Sequence, residues 1–164
     1  MQEYIMDKLE KVFVKIVTDN KAGLYREAYS YLLNKEDAED AVGNTILKAY
    51  THIKDLQNVK KMKSWIYSIL INECKNIIRH NSRINQSTFS VDECVYKAPE
   101  DESDIYDFII RLEPIYREIV LLYYYENFKV KEIAQMLHLS EGTIKSRLAR
   151  ARKQIKDFMD GENM

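Results

Sequence analysis

A chain of 164 residues has room for one ordinary domain or two small helical ones, and its 4 Gly and 2 Pro are too few for the corners of a β-sandwich or barrel. Hydrophobic residues make up 46% of it, with twelve Tyr, and that much apolar surface excludes a chain disordered throughout. The formal net charge of −1 gives no overall attraction to nucleic acid, but the charge is unevenly placed: residues 92–113 carry eight acidic and two basic side chains, residues 129–156 eight basic and two acidic. This asymmetry points to a local anion-binding surface on a neutral protein.

In chain order, the run from Val12 to Val17 is broken by Lys15 and falls far short of a membrane span or signal-peptide core. A soluble, cytoplasmic protein is expected. Ala38, Val42, Ile46, Ala49 and Ile53 recur at three- and four-residue steps, which predicts a helix beginning near Lys35, with Glu36, Asp37, Glu39 and Asp40 at its positive end. A second helix is predicted from Met62 to His80, its apolar stripe formed by Ile66, Ile69, Leu70, Cys74 and Ile77. The opposite face carries Ser68, Asn72, Lys75 and Arg79, and seven basic residues stand against two acidic ones between Lys54 and Arg83.

Cys74 therefore reads as core. It shares no metal-ligand spacing with Cys94, His52, His80 or His138, so neither a metal site nor a disulfide framework is expected. From residue 81 to 104 periodicity is lost in a stretch rich in Asn, Ser, Asp and Glu, which reads as a flexible linker. Helical spacing returns at Ile105, and Pro114 suits the first turn of a helix through Tyr116, Ile119, Val120 and Tyr123. The expectation is an all-α protein of two small helical domains, 1–80 and 105–164, joined by the linker 81–104.

The sharpest local pattern runs from Lys131 to Lys153 and reads as helix, tight turn, helix. Ile133, Ala134 and Leu137 give a short amphipathic helix, Leu139 anchors the turn, and Ser140 can cap the helix that Glu141 opens. Winding that last helix at 100° per residue brings Leu148, Ala151 and Ile155 within about 40° of Ile144, which predicts the buried stripe. Ser146, Ala149, Arg150 and Lys153 then point outward, with Lys145 and Arg152 on one flank and Arg147 on the other. Short or forked side chains at the centre with cations at the edges form the layout a helix needs to read a DNA major groove.

The motif alone leaves the class of DNA-binding protein open, but with its neighbours the chain resembles the extracytoplasmic-function group of bacterial sigma factors. Residues 37–50 are similar to that family's polymerase-binding helix, 62–79 to its promoter-melting helix, and 131–153 to its reader of the −35 element. The resemblance implies an N-terminal bundle that engages core RNA polymerase at the β′ clamp, with further contact to β, through Asp37, Asp40, Val42, Ile46 and Leu47. It implies −10 contacts from Lys61, Lys63, Trp65, Ser68, Asn72, Lys75 and Arg79, Asn72 meeting a flipped non-template base. It implies −35 contacts from Thr143, Lys145, Ser146, Arg147, Ala149, Arg150 and Lys153. Promoter DNA and an anti-sigma factor, membrane-anchored in many members, are the other implied partners.

One departure stands out: the family commonly carries Gln-Glu where this chain has Gly43-Asn44, which removes a carboxylate and sets a glycine inside a helix. A helix-turn-helix regulator acting without polymerase is the alternative. An enzyme is not expected, since no glycine-rich phosphate loop, paired His ligands or nucleophile with an evident base is present, and no cofactor or small-molecule substrate is expected either.

Overall fold

The structure is a computed structural model that describes residues 1–84 and 103–162. These residues fall into two compact units, each helical, with no strand among the described residues.

In the N-terminal unit, α1 (Gln2–Asp19) ends where the Asn20 side-chain amide and backbone N–H both donate to the carbonyl of Ile16, at 2.8 and 3.0 Å. Helix α2 (Lys21–Leu32) stops at Leu33, which takes a left-handed conformation (φ 49°). One residue later Asn34 caps α3 (Lys35–Thr51), its side-chain oxygen accepting from the Asp37 N–H at 2.9 Å. Two 3₁₀ turns, Ile53–Asp55 and Val59–Lys61, lead into the long α4 (Met62–Ile84). The predicted helix starts at 35 and 62 are met, but α4 continues four residues past His80, into the stretch read as linker; residues 85–102 of that stretch lie outside the described residues.

Helices α2, α3 and α4 pack on one another. Their shared core is Leu24, Ala28 and Tyr29 from α2, Ala38, Ala41, Val42 and Ala49 from α3, and Met62, Ile66, Tyr67, Leu70, Ile71 and Cys74 from α4. The four α3 residues are small, so its backbone can approach α4 closely, and α1 closes over the bundle with Phe13. Cys74 is fully buried, as its place on the stripe requires; burial, then the Glu27 and Glu73 carboxylates, push its thiol pKa up.

The C-terminal unit begins with α5 (Ser103–Arg111), two residues inside the stretch read as linker. Pro114 then occupies the first turn of α6 (Pro114–Val120), where its missing N–H costs nothing. The helix predicted to run on through Tyr123 instead widens at Leu121–Tyr125 into a π-helical turn. Arg117, buried on α6, donates from Nη1 to the carbonyl of Ile110 at 2.8 Å and so satisfies an orphan acceptor at the end of α5. Helices α7 (Val130–Leu137) and α8 (Glu141–Glu162) complete the unit. Tyr106, Ile109, Leu112, Tyr116, Val120, Leu121 and Ala151 form its central cluster, with Ile155 and Phe158 partly buried against it.

Gly43 lies exposed in the middle of α3, and a Cβ built there meets nothing within 4 Å. Gly43→Ala should therefore stabilise the N-terminal unit by about 0.5–1 kcal/mol, through helix propensity and a less flexible unfolded chain. Thermal melts of the full chain check this: the unit's transition should rise, and an unchanged or lower midpoint would show that the glycine is needed by the fold itself.

Candidate nucleic-acid interface

The helix-turn-helix is built by local chemistry at both ends of its turn. Glu132 accepts from the Lys129 N–H at 2.8 Å and caps the start of α7. His138 ends that helix in a left-handed conformation (φ 55°), while Leu139 donates its N–H back to the carbonyl of Ala134. Ser140 Oγ then accepts from the Thr143 N–H at 3.1 Å, and the two hydroxyls lie 2.8 Å apart. Thr143, expected to face DNA, is thus engaged in the cap and half-buried.

Below the turn, Ile133, Ala134, Met136 and Leu137 of α7 are buried, as are Ile144, Leu148 and Ala151 of α8. The stripe computed from the sequence is the buried one, with Ile155 at its partly covered end. On the far side Lys145, Ser146, Ala149, Arg150 and Lys153 are all exposed, and Arg147 is half-buried on the flank. The flank cation Arg152 behaves differently: its guanidinium lies over the Tyr124 ring, 5.7 Å from the centroid, and its Nε donates to the Tyr124 hydroxyl. It is drawn toward its own fold instead of standing free beside the reading face, a contact 28 residues away in sequence.

Next to it opens an apolar groove of about 530 Å³ lined chiefly by Ile105, Ile109, Val120, Tyr124, Ile155 and Met159. Ile105 and Met159 are substantially exposed there. Sequence reasoning did not single out this groove. Its signal was present in the exposed ends of two amphipathic helices, but its walls come from three elements.

In the N-terminal unit α4 separates its faces as expected. Ile66, Leu70 and Cys74 are buried, while Asn72, Lys75 and Arg79 are exposed, with Lys61 exposed on the 3₁₀ turn before the helix. Some of the polar side chains are engaged along their own helix. Ser68 donates to the Ser64 carbonyl at 3.0 Å, Arg79 donates to Asn76 Oδ1 at 2.6 Å, and the Lys63 ammonium lies 5.9 Å from the Tyr67 ring centroid. Trp65 is half-buried on the first turn.

Helix α3 sorts the expected polymerase contacts into two sets. Asp40 and Leu47 are exposed, Leu47 at 67%, and Asp37 and Ile46 are half-buried; Asp37 accepts from the Asn81 amide of α4 at 3.3 Å. Val42 is a correction: at 7% exposure it packs inside the bundle, since it lies on the stripe with Ala38 and Ala49 and cannot also face a partner. One charged contact escaped the sequence reading. Lys48 of α3 pairs with Glu73 of α4, whose carboxylate is almost wholly buried. Glu73 falls within about 20° of Ile66 on the winding of α4, so a charge on the apolar stripe was the available signal.

Among the described residues no group of His, Cys, Asp and Glu could hold a metal ion, and no helix is long and apolar enough to cross a membrane.

Residues 16–84 match the family description Sigma-70 region 2, and residues 103–155 match Sigma-70, region 4. The chain is 31% identical over 156 residues to the RNA polymerase sigma factor SigV of Bacillus subtilis, covering 93% of this chain and 94% of that one. It is 28% identical to the ECF RNA polymerase sigma factor SigM of the same organism, over 81% and 86% of the two chains. Among solved structures it resembles the sigma factor RpoE of Bartonella quintana, bound there to the anti-sigma factor NepR, with a TM-score of 0.76 at 23% identity over 96% of this chain and 98% of that one. It also resembles CnrH in complex with the cytosolic domain of CnrY, with a TM-score of 0.67 at 19% identity over 93% and 90%.

Proposed function

The chain belongs to the sigma-70 family of RNA polymerase sigma factors, in its extracytoplasmic-function branch, and from that premise we propose how its two units divide the work of promoter-specific initiation. Helix α3 holds core polymerase through Asp40 and Leu47 as its outward contacts, with Asp37 and Ile46 at their edge. The face of α4 that carries Asn72, Lys75 and Arg79 captures the separated −10 strand. Lys61, Lys63 and Arg83 extend its phosphate track, and Trp65 offers an aromatic surface beside it. The protein works in the cytoplasm, where polymerase and promoter are.

Recognition of the −35 element falls to α8, and the open face around Arg150 carries this reading. Exposed Ser146 and Ala149 are small enough to let the helix sink into a groove. Arg150 then brings a planar fork to a base edge, where guanine O6 and N7 suit it, while Lys145 and Lys153 neutralise phosphates. Arg152, held by Tyr124, contributes little to that phosphate track.

The structural neighbour RpoE, captured with the anti-sigma factor NepR, supports control of the same kind here: an anti-sigma factor that covers the polymerase-binding surfaces.

Selection from a randomised −35 library tests the reading face. Arg150→Ala should relax preference at one or two adjacent positions, the loss of a bidentate pair being about 1–3 kcal/mol of discrimination. Lys145→Ala should instead weaken binding to every sequence and reduce the salt slope by about one unit. An unchanged consensus for Arg150→Ala would demote Arg150 to a phosphate contact.

The α4 face is tested by Asn72→Ala, which removes amide donors and acceptor without touching the buried stripe. Permanganate footprinting should show open-complex formation impaired on duplex promoter more than on a pre-melted −10 bubble. Equal impairment on both would argue against a part in the melting step.

A further inference from the structure

The face of α3 that meets polymerase and the face of α4 that meets DNA point outward from one bundle, and the described contacts between the two helices are of two kinds. Most are apolar, and the buried residues the two helices bring to the bundle are small on α3, Ala38, Ala41, Val42 and Ala49, with Ile66, Leu70 and Cys74 among those of α4. Such a seam fixes separation firmly but register weakly, because neighbouring alanines and aliphatic groups offer similar packing after a small slide. Polar ties are directional and do not share that tolerance.

Ties of this kind cross the seam at both ends of α3 among the described contacts. At one end Asn81 of α4 donates to Asp37 of α3 at 3.3 Å. Toward the other, Lys48 in the last turn of α3 pairs with Glu73. The second tie is the costly one: the Glu73 side chain is only 9% exposed, and it lies on the apolar stripe of α4 beside fully buried Cys74. The Lys48 side chain is 54% exposed, so its half of the pair is weakened by solvent, and a contact of this kind offsets the cost of placing the Glu73 carboxylate more than it adds net stability. Glu73 also directly precedes Cys74 and directly follows Asn72, the residue assigned to base capture.

We propose that Lys48 and Glu73 are a positioning pair for promoter opening: their contact sets the register of α4 against α3 and so fixes where Asn72 stands relative to bound polymerase. The inference rests on the functional reading given above. Neither side chain has to touch DNA. Held in one register, the strand-capturing face meets the −10 bases while the duplex is only transiently open; released, it meets them later or out of place. On a template already melted the strand waits, and the requirement relaxes.

The test uses the full chain with bacterial core polymerase and a promoter that the wild-type holoenzyme opens, prepared both as duplex and with its −10 region pre-melted. The double variant Lys48→Met/Glu73→Met avoids the uncompensated buried carboxylate that Lys48→Met alone would leave. It should melt at the wild-type temperature or above and bind core as wild type does. It should nevertheless open the duplex about tenfold more slowly, the size of an ordinary coupling between contacting residues, with little change on the pre-melted template. Lys48→Arg, which keeps the charge and reach, should open both templates at the wild-type rate.

Wild-type opening of the duplex by the double variant would overturn the proposal. So would equal losses on both templates, or a loss of core affinity, which would make Lys48 a direct polymerase contact. A wild-type chain that gives core polymerase no promoter opening would instead overturn the functional reading beneath the proposal.

Discussion

Ile144, Leu148 and Ala151 are almost wholly buried, and together they fix the rotation of α8 about its own axis. Everything that helix can offer to DNA follows from this rotation. Once three positions at helical spacing face the core, Ser146, Ala149, Arg150 and Lys153 must face away, and the Ser140 cap sets where the helix begins. The same constraint acts on α4, where Ile66, Leu70 and Cys74 turn inward and leave Asn72, Lys75 and Arg79 in solvent. Each proposed nucleic-acid surface is thus the complement of a core stripe. A residue on the stripe is excluded from the surface, which is why Val42 is not available as a partner contact.

Electrostatics then acts locally on a protein of almost no net charge. The eight basic side chains between Lys129 and Lys156 are exposed apart from half-buried Arg147, so the positive field is concentrated on the helix-turn-helix. Not every cation is equally free to meet phosphate. Arg152 is taken up by the hydroxyl and ring of Tyr124, and Arg79 by Asn76. Tyr124 also lines the apolar groove, so Arg152 forms part of the groove's polar edge. In the N-terminal unit the one deeply placed carboxylate of α4, Glu73, is answered from α3 by Lys48.

How much of this was legible in the sequence depended on the range of the interaction. The starts of α3 and α4, the Ser140 cap and the buried face of α8 rest on residues within one or two turns of each other, and periodicity exposes them. Val42 was legible twice over, as a stripe residue and as a contact, and only the packed bundle separates the two. Contacts between distant residues leave no periodic trace: Lys48 with Glu73, 25 residues apart, and Arg152 with Tyr124, 28 apart, emerge only once helices are placed side by side. The ends of the stretch read as linker were misjudged for another reason. His80 to Ile84 is polar enough to look like a loop, yet it extends a helix whose preceding turns are already anchored.

The central claim is that this chain directs core RNA polymerase to promoters. Run-off transcription on genomic promoter fragments with bacterial core polymerase, with and without the purified chain, measures that directly. The account requires transcripts that start at defined sites only when the chain is present, with a strand opening upstream of each start that permanganate detects. Equal transcript patterns with and without the chain, together with sequence-specific binding of the chain alone to duplex DNA, would contradict it and make the protein a regulator that acts without polymerase.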